Sequence, residues 1–216
     1  IGRGPAGVVS CRHLVEAGHE PVVFESGSEL GGIWAPEPTN KVVYSGLVTN
    51  LPTVCMQSFD FDFASGLPSY VRASDLGRYV VDYAEHFRLR HLVRFGASVT
   101  HVDALRSEER DQEGADGEAT WRVRWKHHPE SAGKGLRTPE HSEDVFDAVV
   151  VASGHYDTPY EPEVPGQAAW LAAAEAPGQR TVMHAQRYDR PEQFAGRVVL
   201  VVGGRSSAGD IARELR

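Results

Sequence analysis

Three glycines open the chain at a spacing suited to binding an anion. Gly2, Gly4 and Gly7 form G-x-G-x-x-G within IGRGPAG, with Pro5 and Ala6 between the last two. In such a loop the first glycine makes a tight turn. The second lets the backbone approach a diphosphate, and the third lets a helix pack on a strand. The following helix directs unclaimed N–H groups and a positive dipole end at the phosphates. Glu25 ends the next apolar run about 20 residues further on, where an acid can grip ribose hydroxyls. Together these residues specify a dinucleotide site. A second glycine-rich stretch, GGRSSAGDIAREL from Gly203 to Leu215, places serines and Arg205 beside another place for anions. No catalytic triad, carboxylate pair or C-x-x-C accompanies them. His127, His128 and His141 fall in polar surroundings without partners at metal-ligand spacing, which reads as solvent exposure.

These residues need elements to hold them. Ile1 reads as the last residue of a strand whose front is missing. Val8, Cys11 and Val15 recur at helical spacing between Ala6 and Ala17, and Gly18 ends that helix. PVVFE, Pro21 to Glu25, is a short buried strand. Strand, glycine turn, helix and strand make a βαβ unit, the building block of parallel sheets. Residues 27–72 are irregular, and their aromatics (Trp34, Tyr44, Phe59, Phe61, Phe63, Tyr70) imply packing rather than disorder. A helix follows, capped by Ser74 and lined by Leu76, Tyr79, Val80, Tyr83 and Phe87. Strands are expected at Val93–Leu105, Trp121–Trp125 and Val145–Ala152, separated by two solvated polar loops, RSEERDQEGADGEA and HHPESAGKGLRTPEHSED. The alternation of Trp121, Val123 and Trp125 with Arg122 and Arg124 suggests an antiparallel meander with one wet face. Pro159, Pro162, Pro165 and Pro177 mark a connection between domains. RVVLVVG, Arg197 to Gly203, reads as another buried strand before a helix from about Ser207.

Composition narrows the class. The chain has 216 residues, 41% of them hydrophobic and 24% charged, as in a soluble globular protein. A net charge of −8 argues against nucleic acid. No run of about 20 apolar residues spans a bilayer, and no export signal is visible at the amino end. Cys11 and Cys55, far apart, suit reduced thiols in the cytoplasm. Membrane association through a segment outside this sequence stays open.

The order of motifs resembles the flavin-containing monooxygenases. GxGPAG, then Glu25, then GGIW (Gly31 to Trp34) resembles the FAD-binding half of that family. YSGLVTNLPTVCMQSFDFDF, Tyr44 to Phe63, resembles its segment with a Thr-Asn-x-Pro core. VVVASGHYDTPYEPEVPG, Val149 to Gly166, resembles its crossover out of the FAD domain. HAQRYDRPEQFAGRVVLVVGG resembles its approach to the NADPH loop. The fingerprint F-x-G-x-x-x-H-x-x-x-Y survives in its second half, His184 to Tyr188. Five residues separate Gly178 from His184, and Ala176 stands where phenylalanine is expected. In the second loop Arg205 and Ala208 replace glycines, and a one-residue shift puts Ser206 in the middle position.

The resemblance implies an α/β fold. A Rossmann-like FAD-binding domain, a parallel sheet with an antiparallel β-meander, spans residues 1–166, and a second Rossmann-like NADPH domain begins over 167–216. The first FAD strand and the remainder of the NADPH domain would lie outside these residues. It implies FAD against Gly2, Gly4, Pro5, Ala6, Gly7, Glu25, Gly32, Trp34, Thr49, Val99, Ser153 and Gly154, and NADPH against Gly203, Ser206, Ser207 and Gly209. By residue type alone Trp34 reads as packing and Asn50 as a turn former before Pro52. The resemblance instead makes Asn50 the side chain beside the oxygenated flavin. It implies N- or S-oxygenation of an amine or sulfur substrate by molecular oxygen through a flavin C4a-hydroperoxide, and it is compatible with a homodimer. A Baeyer–Villiger monooxygenase, disfavoured by Tyr188, is one alternative. A non-catalytic FAD- and NADPH-binding redox module and a flavoprotein that reduces a partner are others.

Overall fold

A computed structural model describes residues 1–35, 42–105, 120–128, 140–156, 158–176 and 178–216. The fold is mixed α/β, as expected, with one parallel and one antiparallel sheet. By packing, the chain divides into two units that do not follow chain order. One holds Ile1–Ala35 and Gly77–Gly154, the other Pro36–Leu76 and His155–Arg216.

In the first unit, helix α1 (Pro5–Glu16) begins one residue after Gly4, with Pro5 supplying a fixed φ at its first position. It ends in a Schellman motif: the His19 N–H donates to the Leu14 carbonyl at 2.9 Å and the Gly18 N–H to the Val15 carbonyl at 3.0 Å. Gly18 carries the positive φ of 86° that this ending requires. Val8 and Cys11 are buried, whereas Val15 lies on the outer side of the helix, 43% exposed. Burial pushes the Cys11 thiol up from its ordinary value, and both cysteines are free.

Only two residues of the expected PVVFE strand form ladder. Strand β1 (Val23–Phe24) pairs in parallel with β2 (Val93–Arg94). Gly96, at φ 64°, then turns the chain, so that the predicted Val93–Leu105 run is two strands. Strand β3 (Ala97–Leu105) pairs with β4 (Thr120–His127), which pairs with β5 (His141–Phe146), both antiparallel. This is the expected meander. Strand β5 begins four residues before the predicted Val145 and stops at Phe146, so residues 147–152 continue without ladder assignment. Residues 106–119 and 129–139 of the two polar loops lie outside the described residues.

The core of this unit is Phe24, Ala97, Val123 and Trp125, with Val22, Val99, Phe146 and Val149 packed around them. Phe24 meets Trp125 at 4.7 Å between ring centres and Phe146 edge-on at 5.8 Å. The Arg94 guanidinium covers both Phe24 and Trp125, at 5.4 and 5.5 Å. His127 is not a loop residue. It ends β4, where its Nε2 lies 3.0 Å from both Trp125 Nε1 and Ser142 Oγ. His128 meets Ser98 Oγ at 2.8 Å. His141 begins β5.

Helix α3 (Ala73–His86) buries Leu76, Val80 and Tyr83 of the predicted face together with Ala84, while Tyr79 is half-buried and Phe87 lies one residue past the helix end. It starts one residue earlier than predicted. Ser74 is inside it, and the Asp75 carboxylate reaches back to accept the Arg72 N–H at 3.1 Å, half of a capping box. Beneath the helix, Arg12 donates to Tyr83 Oη at 3.1 Å and lies over the Phe87 ring at 3.6 Å.

The second unit gathers Tyr44, Tyr188 and Ile211 into a core joined by Leu47, Met183, Phe194, Val201 and Leu215. It includes short helices α2 (Thr53–Met56) and α4 (Gln167–Ala172) and the longer α5 (Ser206–Glu214). RVVLVVG does not form a buried strand. Val201 packs inward, while Val198, Leu200 and Val202 are exposed, and the segment has no ladder partner among the described residues. A strand is defined by its partners, and apolar composition alone does not supply them. Tyr188, by contrast, is 4% exposed and donates its hydroxyl to Glu214 Oε2 at 2.7 Å, tying the histidine–tyrosine segment to α5.

Burial, and then the nearby Asp210 and Glu214 carboxylates, push the Tyr44 phenol up to about 12 from 10.0. Burial and the hydrogen bond to Glu214 push Tyr188 in the same direction. The sign of the pH effect follows. As pH rises above about 10 the unfolded chain releases these phenolic protons while the native state keeps them, so stability falls through the window up to about 12. Urea melts across that window should show falling midpoints, with a shallower slope in Tyr44→Phe. An equal slope in the variant would remove Tyr44 as a cause.

Candidate dinucleotide sites

The opening loop is built as a backbone surface. Ile1 lies between two extended segments: its carbonyl accepts the Ala152 N–H at 2.8 Å, and the Gly2 N–H donates to the Phe24 carbonyl at 2.9 Å. Gly2 has φ 109°, and a side chain there would run into the Ala152 carbonyl. A Cβ on Gly7 would strike the Gly2 carbonyl, so α1 rests directly on the turn. This is the close helix–strand approach that the spacing predicts.

Gly31 and Gly32 complete the surface. The Gly31 N–H donates to the Arg3 carbonyl at 3.3 Å, and Gly32 opens a 3-10 turn through Trp34. A Cβ on Gly32 would sit 2.8 Å from Gly4 Cα. The two bare backbones therefore face each other next to the start of α1. Its Gly4 cap offers no side-chain hydrogen bond, so first-turn amides can turn to an anion. The cradle that any side chain would fill fits a diphosphate.

Glu25 borders this cradle. Its Oε2 accepts the Arg3 N–H at 3.2 Å, and its Oε1 accepts the Gly27 N–H at 2.6 Å and the Ser26 hydroxyl at 3.1 Å. The Arg3 guanidinium Nε lies 3.2 Å from Oε1. Gly2, Gly4, Gly7, Glu25 and Gly32 thus come together in one unit, with Pro5 and Ala6 in the exposed first turn of α1. The chain passes Gly2 at Ala152 and Ser153, and Gly154 follows with φ 76°. Val99 packs against the Phe24–Trp125 core.

Two supporting residues escaped the sequence reading. Arg3 sits at an x position that the glycine pattern leaves unspecified, yet it is buried. Gly77 lies in the interior of α3, and a Cβ there would strike the Trp34 carbonyl, so the helix packs on the Gly32–Trp34 turn at that point. A glycine within a helix costs about 1 kcal/mol relative to alanine, and that local cost is the signal that would have found it.

The remaining candidates lie in the other unit. Thr49 is 8% exposed and is tied to Val71 twice: its N–H donates to the Val71 carbonyl at 2.8 Å, and its Oγ1 accepts the Val71 N–H at 3.1 Å. Its hydroxyl donates to the Leu51 carbonyl at 2.9 Å. Asn50, between them, is exposed. Gly203, at φ 142°, leads into α5, which starts at Ser206 behind an extended Arg205 that makes no side-chain cap. Ser206, Ser207 and Arg205 are exposed at that helix end, and Gly209 lies one turn in.

Comparison with known proteins gives the family. The model of the flavin-binding monooxygenase-like family matches residues 1–216, the whole chain. The flavin-containing monooxygenase FMO GS-OX-like 4 of Arabidopsis thaliana is 34% identical over 241 aligned residues, covering 100% of this chain and 47% of that protein. The flavin-containing monooxygenase ustF1 of Aspergillus flavus is 34% identical over 215 residues, covering 100% of this chain and 49% of that protein. Among solved structures, the S-allyl-L-cysteine S-oxygenase of Allium sativum superimposes with a TM-score of 0.77 at 29% identity, over 99% of this chain and 47% of that one. The chain belongs to the flavin-binding monooxygenase-like family, a class of FAD- and NADP-dependent oxidoreductases. It spans about half the length of the curated relatives it matches. No helix among the described residues is long and apolar enough to cross a membrane.

Proposed function

We propose that this chain carries the FAD site and the start of the NADPH site of a monooxygenase that adds one oxygen atom to a soft nitrogen or sulfur nucleophile. The observation that carries the reading is the bare-backbone cradle of Gly4 and Gly32, bordered by an oriented Glu25. Residues 1–166 would serve FAD and residues 167–216 would begin the NADPH domain. Sulfur is the favoured acceptor, because the solved relative named above is an S-oxygenase. FAD, when bound, supplies the redox chemistry: it takes a hydride from NADPH and activates molecular oxygen.

The residues of this chain bind, orient and exclude water. First-turn amides of α1 hold the diphosphate, and Glu25 accepts from the adenosine ribose. The Gly32–Trp34 turn closes over the cradle. Gly203, Ser206, Ser207 and Gly209 bind the NADPH phosphates at the start of α5, with Arg205 adding positive charge. Asn50 donates a hydrogen bond where negative charge develops near the flavin.

The test is the absorption spectrum of the whole protein, followed by NADPH and oxygen consumption with a thioether and with a tertiary amine. Flavin bands and thioether-dependent sulfoxide are expected. A protein that is colourless, and stays so after reconstitution with excess FAD, would overturn the reading. A yellow protein that consumes no oxygen with NADPH would instead be a redox module.

A further inference from the structure

We infer that Arg3 is the positioning residue for Glu25, and that through Glu25 it makes the opening site prefer a flavin carrying the adenosine half, FAD, over one without it, FMN. The inference rests on the reading of that site as the FAD site.

Arg3 stands where the three pieces of the cradle meet. It occupies the position between the first two glycines, its carbonyl accepts from Gly31, and its N–H donates to Glu25 Oε2. Its side chain, only 6% exposed, turns back to place Nε 3.2 Å from Glu25 Oε1, on a carboxylate that is itself only 12% exposed. One residue therefore touches both oxygens of Glu25, one from its backbone and one from its side chain. Arg3 thus holds Oε2 by a hydrogen bond from its N–H and faces Oε1 with its charge, beside the Gly27 N–H and the Ser26 hydroxyl that also hold Oε1.

The oxygens are not equally engaged. Oε1 meets Arg3 Nε, Gly27 N–H and Ser26 Oγ, while Oε2 meets the Arg3 N–H. An ionised carboxylate accepts about four hydrogen bonds, so Oε2 keeps acceptor capacity for a ribose hydroxyl. Charge works in the same direction. Glu25 and a diphosphate are both anionic, and two like charges in a partly buried place disfavour each other. The guanidinium beside Oε1 offsets that repulsion, and its planar fork suits a carboxylate better than an ammonium would. The contact that separates the two flavins is the one to the adenosine ribose, which FAD carries and FMN lacks.

The experiment uses the full chain stripped of flavin and titrated with FAD and with FMN, each followed by flavin fluorescence, with circular dichroism to confirm folding. Arg3→Met is expected to weaken FAD about tenfold or more, as expected for losing a charge-assisted contact, while FMN affinity stays at the wild-type value. Glu25→Gln should show the same selectivity, and the double variant should bind FAD no worse than Glu25→Gln alone. If Arg3→Met does not fold, Arg3→Lys carries the test: the ammonium keeps the charge but lacks the Nε geometry, and FAD should still weaken while FMN holds. The inference alone is overturned if wild type binds FAD but the Arg3 variants lose FAD and FMN by equal factors, or if the double variant multiplies the two single losses. A wild-type chain with no affinity for FAD overturns the FAD reading and this inference with it.

Discussion

Replacing Gly7 with valine is expected to yield a protein that melts far earlier and retains no flavin. The added Cβ would strike the Gly2 carbonyl, approach Gly2 C to 2.9 Å and touch Ala152 Cβ at 3.6 Å. The atoms in the way are mostly backbone, so no side chain can swing aside. Overpacking a well-filled site costs about 1–3 kcal/mol, and the rigidity of this one puts it at the upper end. For a chain of this size that corresponds to a fall of about 6–12 °C in melting temperature. The clash would also lift α1 off the turn and pull its first amides away from Gly4 and Gly32, so binding should fail even in molecules that stay folded. Calorimetry and the flavin-to-protein absorbance ratio read the two effects separately. Gly209→Ala is the contrast. It lies in α5 with nothing within 4 Å of an added Cβ and no positive φ, so the helix should gain about 0.5–1 kcal/mol. A Gly7 variant that melts like wild type and binds flavin equally would mean that the helix does not rest on the turn.

What could be read from the chain without coordinates was chemistry carried by local pattern. The glycine spacing, the start and stop of α1, the inner face of α3 and the meander all follow from contacts within a few residues or from strict periodicity. What escaped depends on distant partners. Arg3 is an arginine in a loop, and composition places such a residue in water. The Glu25 carboxylate beside its guanidinium offsets the cost of burying it. Val15 fits the helical period of α1 but falls on the side that nothing covers. Ser74 has the right type for a cap, yet Asp75 supplies the hydrogen bond from one position later. RVVLVVG has the composition of an interior strand, but Val198, Leu200 and Val202 have no cover among the described residues. His127 has polar sequence neighbours, and its contacts with Trp125 and Ser142 come from pairing across β4 and β5.

For Asn50→Ala the expected result is a protein that folds and holds flavin normally yet forms oxygenated product about 10²–10³-fold more slowly, the loss typical of removing one preorganised donor. The segment's own geometry makes this separable from a folding defect. Thr49 carries the structural load of the turn, through both bonds to Val71 and the hydroxyl bond to the Leu51 carbonyl. Asn50 is exposed, so shortening it opens no cavity and orphans no buried group. Surface substitutions of that kind usually stay within about 0.5 kcal/mol. If Asn50 supplies a hydrogen bond where oxygen is activated, its removal should leave NADPH oxidation running while less of the oxygen reaches substrate. Measured per NADPH consumed, sulfoxide or N-oxide should fall and hydrogen peroxide should rise in its place. A melting temperature equal to wild type, combined with an unchanged ratio of product to peroxide, would exclude Asn50 from the chemistry. It would return the residue to the other role its type allows, a turn former ahead of Pro52.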